Sequence, residues 1–173
     1  FASNAAVGQL ALSANATLFG TTSPVGTGCD AANCAVFELL EGATGLWTEK
    51  IVHSFAGDPL GSPMSNIPYE TYVPNDYQIS FGPDGSIYGG IIPSQSQGSA
   101  ANSTIYRLTP PKQGQPPWTE TALYTFQGSP TGFVAGTPML VARNGTVYGT
   151  AYGGSRVSGT VYWQSIAFKI VVP

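Results

Sequence analysis

The stretch GTVYGTAYGG, Gly145 to Gly154, decides how this chain is read. Nearly the same words occur twice before it, as ATLFGTT (Ala16 to Thr22) and GSIYGGI (Gly85 to Ile91). One copy is a β-turn followed by an apolar strand. Three copies with matching flanks are a repeat. With Ala16, Gly85 and Gly145 in register, the residues before them are QLALSAN, QISFGPD and PMLVARN, and those after them are TLFG, SIYG and TVYG. Each unit therefore reads strand, short turn, strand, the pattern of a β-hairpin.

The rest of each unit follows in order. Gly-, Ser- and Thr-rich loops are expected at TTSPVGTGCDAAN, GIIPSQSQGSAAN and TAYGGSRVSG. A third strand reads as AVFELLE and TIYRLTP, and a fourth as WTEKIVHSF and WTETALYTF. Alternation in the fourth strand assigns Trp118, Glu120, Ala122, Tyr124 and Phe126 to one face, with Trp47, Glu49, Ile51, His53 and Phe55 in the matching places. Near the end of the chain, no turn former lies between Val161 and Val172, which favours one long third strand over a third strand and a degenerate fourth. IAFKIVVP then matches CAVFELLEG, and the third unit lacks its outer strand.

Four antiparallel strands in about 60–70 residues, repeated, are the signature of β-propeller blades. The expected fold is all-β and β-propeller-like, with about three four-stranded blades per chain in one repeat domain. Its units span 9–68, 69–130 and 131–173, the last incomplete. A blade cannot bury both faces alone, and closed propellers typically have 4–8 blades. Copies of the chain itself are thus the first expected partner, and an open strand edge invites strand addition. The rival fold is a β-sandwich, whose sheets would show no relation among the three units.

Composition points the same way. Charged residues are 9% of the 173, against roughly 25% in ordinary domains, while Gly (22) and Pro (14) abound. Such a chain makes turns and short strands rather than helices. A net charge of −3 offers no electrostatic footprint for nucleic acid. No apolar run approaches the length of a membrane span. The sequence starts at Phe1 without Met or a signal-peptide pattern, which reads as a processed product or a piece of a longer chain. Cys29 and Cys34, in CDAANC, read as a small disulfide loop, ahead of a pair of thiols or zinc. Zinc wants three or four ligands, and the chain has a single His. Asn15, Asn102 and Asn144 are N-x-Ser/Thr acceptors, of which Asn15 and Asn144 share one tight-turn position.

Taken together, TLFGTT…CAVFELLEG…GLWTE…HSFAG, SIYGG…STIYRLTP…WTETALYTFQG and TVYGTAYGG…SGTVY resemble the GloVer-type tandem repeats of exported bacterial proteins called choice-of-anchor tandem repeat proteins. The resemblance covers most of the chain. It implies a propeller-like fold and a secreted or cell-surface location, and it implies no reaction. CDAANC and the insertion SPMSNIPYETYVPND depart from the repeat pattern.

Chemistry is sparse. His53 stands where the second unit has Tyr124, so it reads as a packing residue. Glu49 and Glu120 are repeat-equivalent, which favours a shared structural hydrogen bond over an acid–base pair. Glu38, Arg107 and Lys169 share one position with different charges and read as a solvated face. Glu70 and Asp76, in the insertion, are the carboxylates a polysaccharide hydrolase or lyase would use. Nothing implies a catalytic residue, metal or cofactor. Residues outside the repeat pattern suit ligand binding better: Tyr152, Arg156 and Trp163 near the third unit's Gly-rich stretch, and Tyr69, Tyr72 and Tyr77 in the insertion. Tyr152, Arg156, Trp163 and Tyr72 are the candidate ligand contacts, with glycan the candidate ligand. The expected function is a non-enzymatic extracellular repeat module for self-assembly or surface binding, with a lectin-like propeller as the alternative.

Overall fold

The computed structural model describes residues 5–7, 10–24, 34–56, 62–63, 79–92, 103–112, 117–126, 134–135, 138–157 and 160–172; for 5–7, 23–24, 62–63, 92, 134–135, 152, 154–157 and 160–164 it describes the backbone alone. All regular structure among them is β, in three antiparallel sheets. No helix there is long and apolar enough to cross a membrane.

The first sheet comprises β1 (Ala5–Val7), β2 (Ala11–Leu12), β3 (Leu18–Pro24), β4 (Ala35–Glu41) and β5 (Trp47–Ser54). β1 and β2 pair with opposite ends of β3, so they act as one broken strand, and β4 and β5 follow outward. The second sheet repeats this with β6 (Ser62–Pro63), β7 (Ser80–Phe81), β8 (Ile87–Ile92), β9 (Thr104–Thr109) and β10 (Thr119–Thr125). In the third, β11 (Val134–Ala135) and β12 (Leu140–Val141) pair with β13 (Val147–Val157), which pairs with β14 (Thr160–Ile170). The long final strand expected from the sequence is β14. Unlike the expected loop, TAYGGSRV continues β13, because eleven consecutive pairs with β14 hold it extended.

The hairpin turns are built alike. At Ser13–Thr17 the Ser13 N–H donates to the Thr17 carbonyl at 2.9 Å, and the Ala16 N–H to the Ser13 carbonyl at 3.0 Å. Gly82–Ser86 and Ala142–Thr146 repeat both bonds, and so does Gly42–Leu46 between β4 and β5. The fourth residue of each turn sits in the left-handed region: Ala16 at φ 59°, Gly45 at 75°, Gly85 at 78° and Gly145 at 80°. This is the three-residue hairpin loop in which glycine is favoured for want of a Cβ.

A second glycine serves close approach. Gly20, Gly89 and Gly149 lie directly opposite Phe37, Tyr106 and Phe168. Each ring covers its glycine so closely that an added Cβ would fall 2.5, 2.3 and 2.4 Å from ring atoms. The glycine of LFG, IYG and VYG is therefore a seat for a cross-strand aromatic ring.

The sheets pack through repeat-equivalent residues. Between the first and second lie Phe19, Val36, Val52 and Phe55 on one side and Ile79, Ile87, Ile91, Tyr106 and Leu108 on the other. Between the second and third lie their counterparts: Tyr88, Ile105, Leu123 and Phe126 against Met139, Val147, Ala151, Phe168 and Ile170. Phe55 meets Tyr106 with ring centres 5.0 Å apart, and Phe126 meets Phe168 at 5.4 Å. One docking geometry is used twice. The sandwich alternative, which predicts no such relation, does not describe this chain.

The fourth strand corrects the alternation expected from sequence. Nine residues, 47–55, run beside eight, 34–41, and a β-bulge absorbs the extra one between Ile51 and His53; β10 has its bulge at the matching place, between Ala122 and Tyr124. The bulge turns the strand over. Trp118 and Glu120 reach the first sheet, whereas Leu123 and Phe126 pack on the third.

Candidate interaction surfaces

Two side chains link the first two sheets by polar contact. His53 Nε2 lies 3.0 Å from Glu120 Oε2, both largely buried, and the His53 ring stands edge-on to Phe55 at 4.6 Å. The repeat-equivalent pair Tyr124 and Phe126 stacks in the same way at 5.1 Å. His53 thus packs on Phe55 with a carboxylate beside it, and Glu120, the repeat equivalent of Glu49, makes a cross-sheet contact.

Glu38, Arg107 and Lys169 do share a register position, opposite Phe19, Tyr88 and Tyr148, but a common solvated face does not describe them. Arg107 is half-buried. Its Nε donates to Ser86 Oγ at 3.0 Å, its Nη2 donates to Asp84 Oδ2, and its guanidinium lies 6.0 Å from the centre of the Tyr88 ring. Burial alone would raise the Asp84 carboxyl, but bonds from the Ser86 N–H and hydroxyl and from Arg107 outweigh it and hold it below its ordinary value. Burial pushes the hydroxyls of Tyr88 and, far more, Tyr106 upward, the Glu120 charge adding to the latter. Lys50 pairs with Glu38 at 3.1 Å in an exposed setting, and Lys169 lies over Tyr148.

The two ends of the stack differ from its interior. In the seam between the first and second sheets, Phe19 packs against Phe81 and Trp118, ring centres 5.4 and 6.0 Å apart. On the opposite face of the first sheet, where Phe37 is fully buried, the residues equivalent to Phe81 and Trp118 are Leu12, 62% exposed, and Trp47, 50% exposed. Leu10, equivalent to buried Ile79, is exposed beside them. The free face of the third sheet carries Tyr148, equivalent to buried Phe19 and Tyr88, at 39% exposure, with exposed Leu140 nearby. These apolar ends were missed in the sequence, where Trp47 and Trp118 occupy matching places.

The candidate ligand residues divide. In the β13–β14 ladder, Tyr152 pairs with Ser165, Gly154 with Trp163 and Arg156 with Val161. The two-residue alternation of strands assigns the positions of Tyr152, Arg156 and Trp163 to one face, that of Tyr148. Tyr72, with Tyr69, Tyr77, Glu70 and Asp76, lies outside the described residues. So do Cys29 and Asn102. Cys34 is fully buried and is not a free thiol. Asn15 and Asn144 are exposed at the same turn position, where Asn144 Oδ1 accepts from the Thr146 N–H at 3.1 Å as Asp84 Oδ1 does from Ser86. Among the described residues no cluster of His, Cys, Asp and Glu is arranged to hold a metal ion. No protein-family model, curated protein or solved structure matches the chain.

Proposed function

We propose that this protein is a non-enzymatic, extracellular repeat module that works by self-association, its terminal sheets stacking head to tail on those of further copies. The supporting observation is the equivalence between the seams and the ends. Three positions that seal sheet against sheet inside the chain are apolar and exposed on its outer faces, Leu12 and Trp47 at one end and Tyr148 at the other, although Phe37, the counterpart of Tyr106, is buried. Stacking Leu12 and Trp47 of one copy on Tyr148 of the next reproduces the contact that Phe81 and Trp118 make with Phe19. Such a contact is heterologous, so it generates rings or open arrays. Two chains contribute six sheets, within the usual range of a closed propeller. Low charge, abundant Thr, Ser and Gly, the disulfide expected of Cys29 and Cys34 from their spacing, and the likeness to exported repeat proteins support the extracellular placement.

Native mass measurement tests this. The unaltered chain is expected as a dimer or larger, and Trp47→Lys, which alters a half-exposed side chain, is expected to give a folded monomer. A monomeric unaltered chain at the highest soluble concentration overturns the proposal.

A second reading has an observation of its own, the shared face of Tyr152, Arg156 and Trp163. Aromatic and guanidinium-bearing residues at register positions of one face suit a sugar, whose apolar face stacks on rings while its hydroxyls accept hydrogen bonds. Glycan binding by the unaltered chain that Trp163→Ala abolishes, without a change in native mass, would favour a lectin-like module.

A further inference from the structure

The outer edge of the third sheet distinguishes it from the other two. In the first and second sheets, the third strand is covered by a fourth, β5 or β10. Among the described residues no strand pairs with the outer edge of β14. The effect on burial is large. Ala35 and Thr104 are 0% and 2% exposed, whereas Ile166, their equivalent, is 39% exposed. Cys34 and Ser103 are buried, and Ser165 is exposed; Val36 and Ile105 are buried, and Ala167 is exposed.

β14 lacks the bulge that marks the other two outer strands, though it carries one charge, Lys169. β5 and β10 are themselves edges, but each is bulged, and their outer residues include Lys50, Thr119 and Thr121. Bulges and charges of this kind discourage further pairing. β14 runs through eleven pairs without a register shift and carries Ile166, Ala167, Phe168 and Ile170 around a single charge, Lys169, as the inner strands β4 and β9 carry Glu38 and Arg107.

We infer that the outer edge of β14 is a strand-addition site for an extended segment with the repeat's own fourth-strand pattern, Trp-Thr-Glu, three residues, His or Tyr, one residue, Phe. The complete sheets state what the incoming strand would meet. Its final Phe N–H would donate to the Ser165 carbonyl, as Phe55 donates to Cys34 at 2.8 Å and Phe126 to Ser103 at 2.9 Å. Its Glu would face exposed Tyr124, whose hydroxyl takes the place of the His53 nitrogen that meets Glu120. Its Trp would reach Tyr88, as Trp118 reaches Phe19. Main-chain bonds along the edge supply affinity, and these three side chains supply register. This surface is an edge, not a sheet face, and does not depend on head-to-tail stacking.

The test uses the full chain and a labelled peptide, WTETALYTF, the sequence of Trp118–Phe126. Saturable binding of one peptide per chain is expected, with amide exchange at Ser165–Ile170 slowed by at least about 10-fold. A peptide N-methylated on the amides facing β14 is expected not to bind, and Tyr124→Phe to bind the parent peptide several-fold more weakly. Trp47→Lys is expected to leave binding unchanged, which separates this site from the stacking faces. Joining the same nonapeptide to the C-terminus through a flexible linker removes weak affinity as an obstacle. If neither the free nor the joined segment protects Ser165–Ile170, or if protection falls on β5 or β10 instead, the inference is overturned.

Discussion

The middle and third sheets share a turn, a register and a ring seated on glycine, yet their interiors differ. In the middle sheet Tyr88 and Tyr106 are buried on opposite faces, one toward each neighbour. In the third, the equivalent Tyr148 is exposed and Phe168 only half-buried. The local chemistry is the same, so the difference lies in the neighbours. Burial here is a property of the stack: the third sheet carries Tyr148 without the cover that Tyr88 has, whereas Phe37 on the outer face of the first sheet is buried.

The sharpest way to break this comparison is to collide the same ring in both sheets. Gly89→Ala drives a Cβ into the Tyr106 ring, which is fully buried between sheets and has no room to move. A loss of about 3 kcal/mol in urea unfolding is expected. Gly149→Ala meets Phe168 equally closely, but that ring lies on the open strand β14 and can swing outward, so about 1 kcal/mol is expected. Equal losses would mean that neighbouring sheets do not set the rigidity of the ring.

The turns sharpen the comparison on a smaller scale. Ala16 holds φ 59° where the other turns have glycine. Ala16→Gly relieves the clash of a Cβ in the left-handed region but adds chain entropy to the unfolded state, for a net gain of about 1 kcal/mol. Gly145→Ala should lose a similar amount by thermal or urea unfolding. If Ala16→Gly destabilises, the matching hydrogen bonds of these turns do not reflect a common backbone demand.

The smallest effect is one of pH. The folded-state carboxyl of Asp84 lies below its ordinary value of 3.8, so it contributes stability that is present above about pH 4 and is lost as pH falls through the lower folded value. Because the group is nearly half exposed, the contribution is expected to be about 0.5 kcal/mol or less. Asp84→Asn imitates Asn144 of the third unit and should remove this part of the acid slope in urea titrations between pH 5 and about pH 2. An unchanged slope would mean that the bonds from Ser86 and Arg107 do not favour the charged form.

Much of the fold was legible because its signals are local. PDG and RNG mark hairpin turns, IAFKIVVP marks a strand equivalent to AVFELLE, and a run without turn formers marks the length of β14. The bulges were not legible, since nine residues against eight is a relation between two strands and appears in neither alone. Nor was the extension of β13 through GGSRV: glycine and serine predict a loop until a continuous partner strand holds them extended. The polar link from His53 to Glu120 spans 67 positions and two sheets, beyond the reach of any periodicity.

By itself, then, the sequence determined the elements of this protein: turns needing a left-handed residue, strands alternating on either side of them, and a threefold recurrence that makes their sheets interchangeable. Only the tertiary structure decided which copies of one apolar position are covered. Turn preference and alternation act over a few bonds and are written residue by residue, whereas burial is the removal of surface from water by another sheet. Tyr88 has that sheet beside it, and Tyr148 has none among the described residues.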